Sequence, residues 1–103
     1  MASEDESPLP LSVKLCSDKA AFEARTRRKL SLNIDEVKRT LERSNEHKTV
    51  IHTPHMIIIR SGKAETTLSR DGRMLIKRVS NEAEATQVAR QILQTIFKKT
   101  FKP

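Results

Sequence analysis

Histidine, cysteine and clustered basic residues are the side chains in this sequence whose types and spacing could do chemistry. His52 and His55 flank Thr53-Pro54, and an H-x-x-H pair can supply two ligands to a metal ion. No Cys, Asp or Glu lies near them in sequence, and two ligands do not make a site. We therefore predict that both are ordinary strand or edge residues, and that His47 is a solvent-facing loop residue. The sequence predicts no metal and no cofactor.

Cys16 is the one cysteine, so an internal disulfide is excluded and a reducing, cytoplasmic location is the simplest expectation. A thiolate favoured by Lys14 or Lys19 would be nucleophilic. The alternative is an inert, half-buried thiol, which we favour because no histidine lies near Cys16 in sequence to act as a base. An enzyme built on Cys16 is thus the weakest of three hypotheses, and no catalytic residue is assigned.

Nucleotide chemistry is poorly supported by the glycine content. Gly62 and Gly72 are the only glycines, both in turn-like contexts, and there is no G-x-G-x-x-G or Walker loop. A loop that cradles phosphates with backbone amides needs more glycine than this.

Positive charge narrows the classes of partner without choosing among them. Twenty Lys and Arg against 13 Asp and Glu give a net charge of +7, which favours nucleic acid, anionic lipid or an acidic protein as partner. Three phenylalanines are the only aromatic residues, which counts against a single-strand binder that stacks bases. The candidate phosphate contacts are the clustered cations Arg27, Arg28, Lys29, Lys77, Arg78, Lys98 and Lys99.

The elements that must position these side chains fit one domain. We predict an acidic disordered tail over residues 1–10, an α+β domain over 11–98 and a basic tail over 99–103. The longest purely apolar run is four residues, Met56 to Ile59, so no membrane span is expected. The first ten residues lack the basic and apolar regions of a secretory signal.

Two helices are indicated by caps and by apolar spacing. Asn33 and Glu36 form a capping-box pattern at the start of the first helix, whose apolar residues Ile34, Val37 and Leu41 share one face. Ser44-Asn45 is expected to end this helix. Ser80 or Asn81 is expected to cap a longer C-terminal helix. Its apolar stripe comprises Ala85, Val88, Ala89, Ile92, Leu93 and Ile96.

The stretch between the helices predicts β-structure. Strands are expected over 49–53, 55–60, 64–69 and 74–79, with a turn at Ser61-Gly62-Lys63 and a hairpin at Arg70-Asp71-Gly72. The continuous apolar character of 55–60 predicts burial on both faces or at the sheet centre. Leu11 to Leu30 predicts one or two short extended segments. The fold class expected is α+β, with a small antiparallel sheet of three or four strands packed against the long C-terminal helix and a shorter helix before the sheet.

From Leu15 to Ile96 the chain resembles the C-terminal region of the ThiF/MoeB/HesA adenylyltransferases, which activate ubiquitin-like sulfur-carrier proteins. The matching segments are 15–20, 32–36, 67–77 and 81–85. The family's adenylation domain is absent, and of its paired zinc cysteines only Cys16 has a counterpart. The resemblance implies an accessory fold without adenylation, acting with a carrier protein or its adenylyltransferase. The leading hypothesis is therefore a non-catalytic protein-interaction module.

The chain also resembles, more faintly, one half of TATA-binding protein. The likeness is the order of a strand, a Ser-Gly-Lys turn, a second strand and a helix that begins with acidic residues. The strands here lack the phenylalanines that this family inserts between DNA bases. The alternative hypothesis is a basic nucleic-acid-binding module. A dimer that hides an exposed sheet face is also an expectation.

Overall fold

The structure, a computed structural model of the chain, describes residues 11–15 and 21–101. The polypeptide forms six strands and two helices in an α+β arrangement. In chain order these are β1 (Leu11–Leu15), β2 (Ala21–Thr26), α1 (Ile34–Ser44), β3 (Lys48–His52), β4 (Met56–Ser61), β5 (Ala64–Ser69), β6 (Met74–Lys77) and α2 (Glu82–Phe101). The last helix extends beyond residue 98, so residues 99–101 are helical.

All six strands belong to one antiparallel sheet in the order β1-β2-β6-β5-β4-β3. The expected sheet of three or four strands is therefore wrong. The N-terminal segment supplies two full strands, which precede α1 and join the sheet where β2 pairs with β6. That pairing connects Ala21 with Lys77, residues far apart in sequence. Local pattern cannot reveal such a long-range partner, and in β2 the strand signal is itself weak because Phe22 is the only large apolar residue.

One face of the sheet packs against both helices. Ile57, Ile59, Leu68, Met74 and Ile76 point to this side and are fully buried. The helices cover them with the residues that helical spacing predicts, which are Ile34, Val37 and Leu41 from α1 and Ala85, Ala89, Ile92 and Leu93 from α2. In the described part of the chain, no helix is both long and apolar enough to cross a membrane.

The helix boundaries follow from their caps. Asn33 Oδ1 accepts a hydrogen bond from the Glu36 amide at 3.2 Å, and Asn45 ends α1 in the left-handed conformation at φ 65°. For α2 the cap is Asn81 and not Ser80, since Asn81 Oδ1 accepts from the Glu84 amide at 2.8 Å. Glu84 in turn accepts from the Ser80 amide at 2.7 Å, one residue earlier than in the usual capping box.

The β5–β6 hairpin turns where the Asp-Gly pair predicts. Gly72 has φ +97°, and a Cβ there would lie 2.9 Å from Leu30 Cδ1. The Leu30 amide donates to the Asp71 carbonyl and the Leu32 amide to the Arg70 carbonyl, both at 2.9 Å. The segment after β2 therefore runs along this hairpin, and glycine leaves room for it.

Two other expectations are corrected. Strand β4 is next to the edge strand β3, and only its inward residues Ile57 and Ile59 are fully buried, whereas Met56 and Ile58 on the other face are half-buried. A continuous apolar run thus occurs here without burial on both faces. His47, expected to face solvent, is 4% exposed because the turn after α1 directs it under the sheet edge toward α2.

Candidate functional site

The sheet face opposite the helices is not covered by any other helix or strand of the described residues. We call it the open face. Alternate residues of every strand point to it, and in β5 and β6 these alternate residues are less buried than their inward neighbours. Neither helix lies on this side, so side chains here are available to a partner.

A row of six directly paired residues crosses the middle of the open face, one from each strand. The register connects them in the order Lys14, Glu23, Leu75, Thr67, Ile58 and Ile51. Ile51, in the edge strand, is 55% exposed. The row therefore changes from charged at β1 and β2 to apolar at β3 and β4.

A second row carries most of the charge. Lys77 lies opposite Glu65, Glu65 opposite Arg60, and Arg60 opposite Lys48. Glu65 is half-buried between two cations and also lies 4.0 Å from Arg78 Nε. Lys48 has only the like-charged Arg60 across from it. This end of the row is consequently a site of unbalanced positive charge.

Glu23, the second carboxylate that the structure describes on the open face, is balanced by the positive charges around it. Arg25 Nε donates to Glu23 Oε2 at 2.7 Å, and this hydrogen bond lowers the pKa of Glu23. Burial opposes this by less than the hydrogen bond contributes, and the charges of Arg25, Arg73 and Lys14 each lower the pKa by smaller amounts. Glu23 is therefore ionised at neutral pH and surrounded by cations.

The balance on the open face is strongly positive. Among the described residues this face carries two carboxylates and six cations, and the cations are Lys14, Arg25, Lys48, Arg60, Arg73 and Lys77. No phenylalanine with a described side chain belongs to this face, because Phe22 pairs with Ile76 on the core side and Phe97 lies on α2. The face offers positive charge and aliphatic area without a base-stacking platform.

The residues predicted from charge runs do not form one patch. Arg27, Arg28 and Lys29 follow the C-terminal end of β2, where the Thr26 hydroxyl donates to the Arg28 carbonyl. Lys77 and Arg78 lie at the opposite end of the strands, since Lys77 pairs with Ala21 at the start of β2. The length of β2, about 17 Å from Ala21 to Thr26, separates the two groups. Lys98 and Lys99 belong to the last turns of α2, and their side chains lie outside the described part.

Of the predicted cations, only Lys77 belongs to the open face. The other five cations of this face are isolated in sequence or separated by one residue from the next charge, so a search for basic runs misses them. Strand alternation is the signal that could have found them. Lys48 and Arg60 become neighbours only through the β3–β4 register.

Within the described ranges, neither His52 nor His55 belongs to a cluster of metal ligands. His52 Nε2 lies 3.6 Å from Asp35 Oδ1 at the N-terminal turn of α1, and His55 is exposed in the β3–β4 turn. Among the described residues, no group of three or more His, Cys, Asp or Glu is placed to hold a metal ion. Cys16 lies outside the described residues.

His47 is the one buried titratable side chain in the described ranges. Its Nδ1 lies 2.6 Å from Ser61 Oγ and its Nε2 lies 3.4 Å from Thr95 Oγ1. Thr95 donates its hydroxyl proton to the Gln91 carbonyl at 2.8 Å, so its oxygen accepts from His47 Nε2–H and Ser61 donates to Nδ1. Burial lowers the pKa of His47, with a small opposing effect of Glu46. His47 therefore joins β4 and α2 as a neutral ring.

Comparison with protein-family models, with curated proteins and with solved structures gives no match. The resemblances to ThiF-type adenylyltransferases and to TATA-binding protein therefore stay predictions, and functional inference rests on the geometry.

Proposed function

We propose that this protein is a nucleic-acid-binding module and that the open face of its sheet is the contact surface. The observation that carries the proposal is the charge of that face, with six cations against two carboxylates that are themselves flanked by cations. Six strands at their usual spacing give a surface about 24 Å wide, which is enough to contact several successive phosphates.

The chemistry of the face favours a double-stranded ligand. Single-strand binders stack bases on aromatic side chains, and the described open face offers aliphatic ones instead, namely Ile51, Ile58 and Leu75. Cations spread over a broad surface suit the two phosphate backbones of a duplex. Contacts of this kind position the ligand without selecting its sequence.

The test is fluorescence anisotropy with a labelled duplex DNA and a labelled duplex RNA of random sequence, each about 20 base pairs long, titrated at about 50 and 200 mM salt. We expect micromolar or tighter binding at low salt and a fall of at least tenfold at the higher salt, because bound phosphates release counterions. A matching single strand serves as the comparison. Salt-independent binding, or none at low salt, would refute the proposal.

The contact surface is tested by charge reversal. Lys48→Glu combined with Arg60→Glu should weaken duplex binding at least tenfold and reduce its salt dependence. The matched control is Arg39→Glu combined with Arg43→Glu on the exposed side of α1, which changes the net charge equally. Arg27→Glu combined with Arg28→Glu tests the loop predicted from sequence. Equal losses in all three variants would show that net charge alone governs binding.

The protein-interaction hypothesis stays a second prediction. No contact or charge described above favours a ubiquitin-like carrier or its adenylyltransferase as the partner. A pull-down with either protein checks it. Retention on an immobilised carrier at about 0.15 M salt, where weak surface electrostatics are screened, would support that partner. Failure to retain either protein would refute the hypothesis.

A further inference from the structure

The helical side of the molecule contains a cleft that the open face does not include. It lies between α1 and the C-terminal half of α2, with a volume of about 490 Å³. That volume is within the range of ligand sites, although this cleft is open on one side and has a mixed polar and apolar lining. Its apolar lining includes Leu32, Ile96 and Phe97, each partly buried against the core.

Two arginines form one wall of the cleft. Arg39 and Arg43 are one helical turn apart on α1, and both line the cleft. Lys38 on the same helix pairs with Glu42 at 3.2 Å. Within the described ranges, Arg39 and Arg43 form no ion pair. Glu36 is the one carboxylate in the lining.

We propose that this cleft docks an acidic amphipathic segment of a partner protein. An apolar side chain of that segment would fill the space over Ile96 and Phe97. Its flanking carboxylates would pair with Arg39 and Arg43, whose planar donors suit bidentate carboxylate binding. Charge complementarity and the apolar lining together select this ligand, because a nucleic-acid backbone has no apolar group to bury.

The two surfaces are on opposite sides of the sheet, so both can be occupied at once. A duplex on the open face and a peptide in the cleft would make the protein a bridge between a nucleic acid and an acidic partner. The cleft proposal does not depend on the proposed function, since it uses different residues and a different ligand.

The probe is a fluorescein-labelled synthetic helical peptide of about 15 residues, with Leu and Phe at i, i+4 and i+7 on one face and Glu beside them. We expect saturable binding with a micromolar Kd. Two control peptides carry the same composition in scrambled order, or Lys in place of every Glu. Both should bind at least tenfold more weakly. Equal binding of the scrambled peptide, or no saturable binding of the designed one, would overturn the proposal.

Two double variants test the two surfaces separately. Arg39→Glu combined with Arg43→Glu should weaken the peptide at least tenfold and leave duplex binding intact, while Lys48→Glu combined with Arg60→Glu should do the reverse. Both pairs change exposed residues, so thermal unfolding should show folded proteins. Amide chemical shifts should move in residues 36–43 and 96–97 when the peptide binds. Shifts centred on β3 and β4, or unchanged peptide affinity in the Arg39/Arg43 variant, would overturn it.

Discussion

Lys48 and Arg60 lie directly opposite each other on neighbouring antiparallel strands, with both side chains exposed on the open face. Like charges in directly paired positions destabilise a sheet. Glu65, on the far side of Arg60, balances only one of the two. A bound phosphate near the pair would relieve the repulsion between the two side chains. The pair that destabilises the free sheet is therefore also well suited to bind an anion.

Lys48→Glu should therefore change stability and affinity in opposite directions. The new pair with Arg60 is attractive, and we expect the free energy of unfolding to rise by about 0.5 kcal/mol. Duplex affinity should fall several-fold, because a cation is replaced by an anion. Urea unfolding and fluorescence anisotropy measure the two effects. Lys63→Glu, in the β4–β5 turn, is the control that has no paired cation. A less stable Lys48→Glu protein would contradict the register-based argument.

His47 should make stability depend on pH. Its folded-state pKa lies below the ordinary value of 6.5, so below that pH the unfolded chain binds the proton more readily than the folded protein. Stability is therefore fully present above about pH 6.5 and falls as the pH drops through that value toward the lower folded-state pKa. Urea unfolding at about pH 7.5 and 5.5 measures the difference.

His47→Gln should reduce this dependence, because the group that titrates is removed. His55→Gln is the matched control, since it makes the same substitution at an exposed turn position. A His47→Gln protein that loses stability on acidification as steeply as the wild type would exclude His47 as the cause.

Gly72 and Gly62 offer a test of what the β5–β6 hairpin requires. Both have positive φ, but only at Gly72 would a Cβ meet a neighbour, 2.9 Å from Leu30 Cδ1. Gly62→Ala should cost about 1 kcal/mol from backbone strain alone. Gly72→Ala should cost about 2–4 kcal/mol, because crowding of Leu30 adds to the strain. Thermal and urea unfolding of both variants measure the difference in stability. Equal losses of stability would show that Leu30 moves aside without a measurable loss of free energy.

Thr66 is fully buried on β5, and its hydroxyl oxygen has no hydrogen-bond partner within the described part of the chain. It lies between Ile59 and Ile76 in the register. Thr66→Val keeps the shape and removes the unpaired polar group, so we expect stabilisation by about 1 kcal/mol. Thr67→Val on the open face is the control and should change stability by less than about 0.5 kcal/mol. A destabilised Thr66→Val protein would indicate that the hydroxyl is satisfied in solution.

The elements with strong local signals could be predicted. Asn33 and Glu36 mark the start of α1, Gly72 marks the last hairpin, and the spacing of Ala85, Ala89 and Ile92 gives the buried stripe of α2. The extended segments expected within Leu11 to Leu30 are β1 and β2, but their place in the sheet could not be predicted, because β2 is fixed by its pairing with β6, a long-range contact that has no local signature.

The candidate site was predicted only in part for a related reason. Runs such as Arg27-Arg28-Lys29 are visible in the sequence, yet a strand places consecutive residues on opposite faces. A basic surface on a sheet is therefore assembled from isolated cations such as Lys14, Lys48 and Arg60. His47 was predicted to be exposed because nothing in its polar neighbourhood shows that Ser61 and Thr95 enclose it.

The register shift between Thr49 and Ile51 has a consequence for how the protein behaves at high concentration. It lies in β3, the edge strand, where Val50 and Ile51 are 43% and 55% exposed. A regular edge with exposed aliphatic residues is a template for adding strands from other molecules. A bulge interrupts the regular spacing of backbone donors and acceptors that such growth requires. The irregularity therefore protects this apolar edge against aggregation into extended sheets.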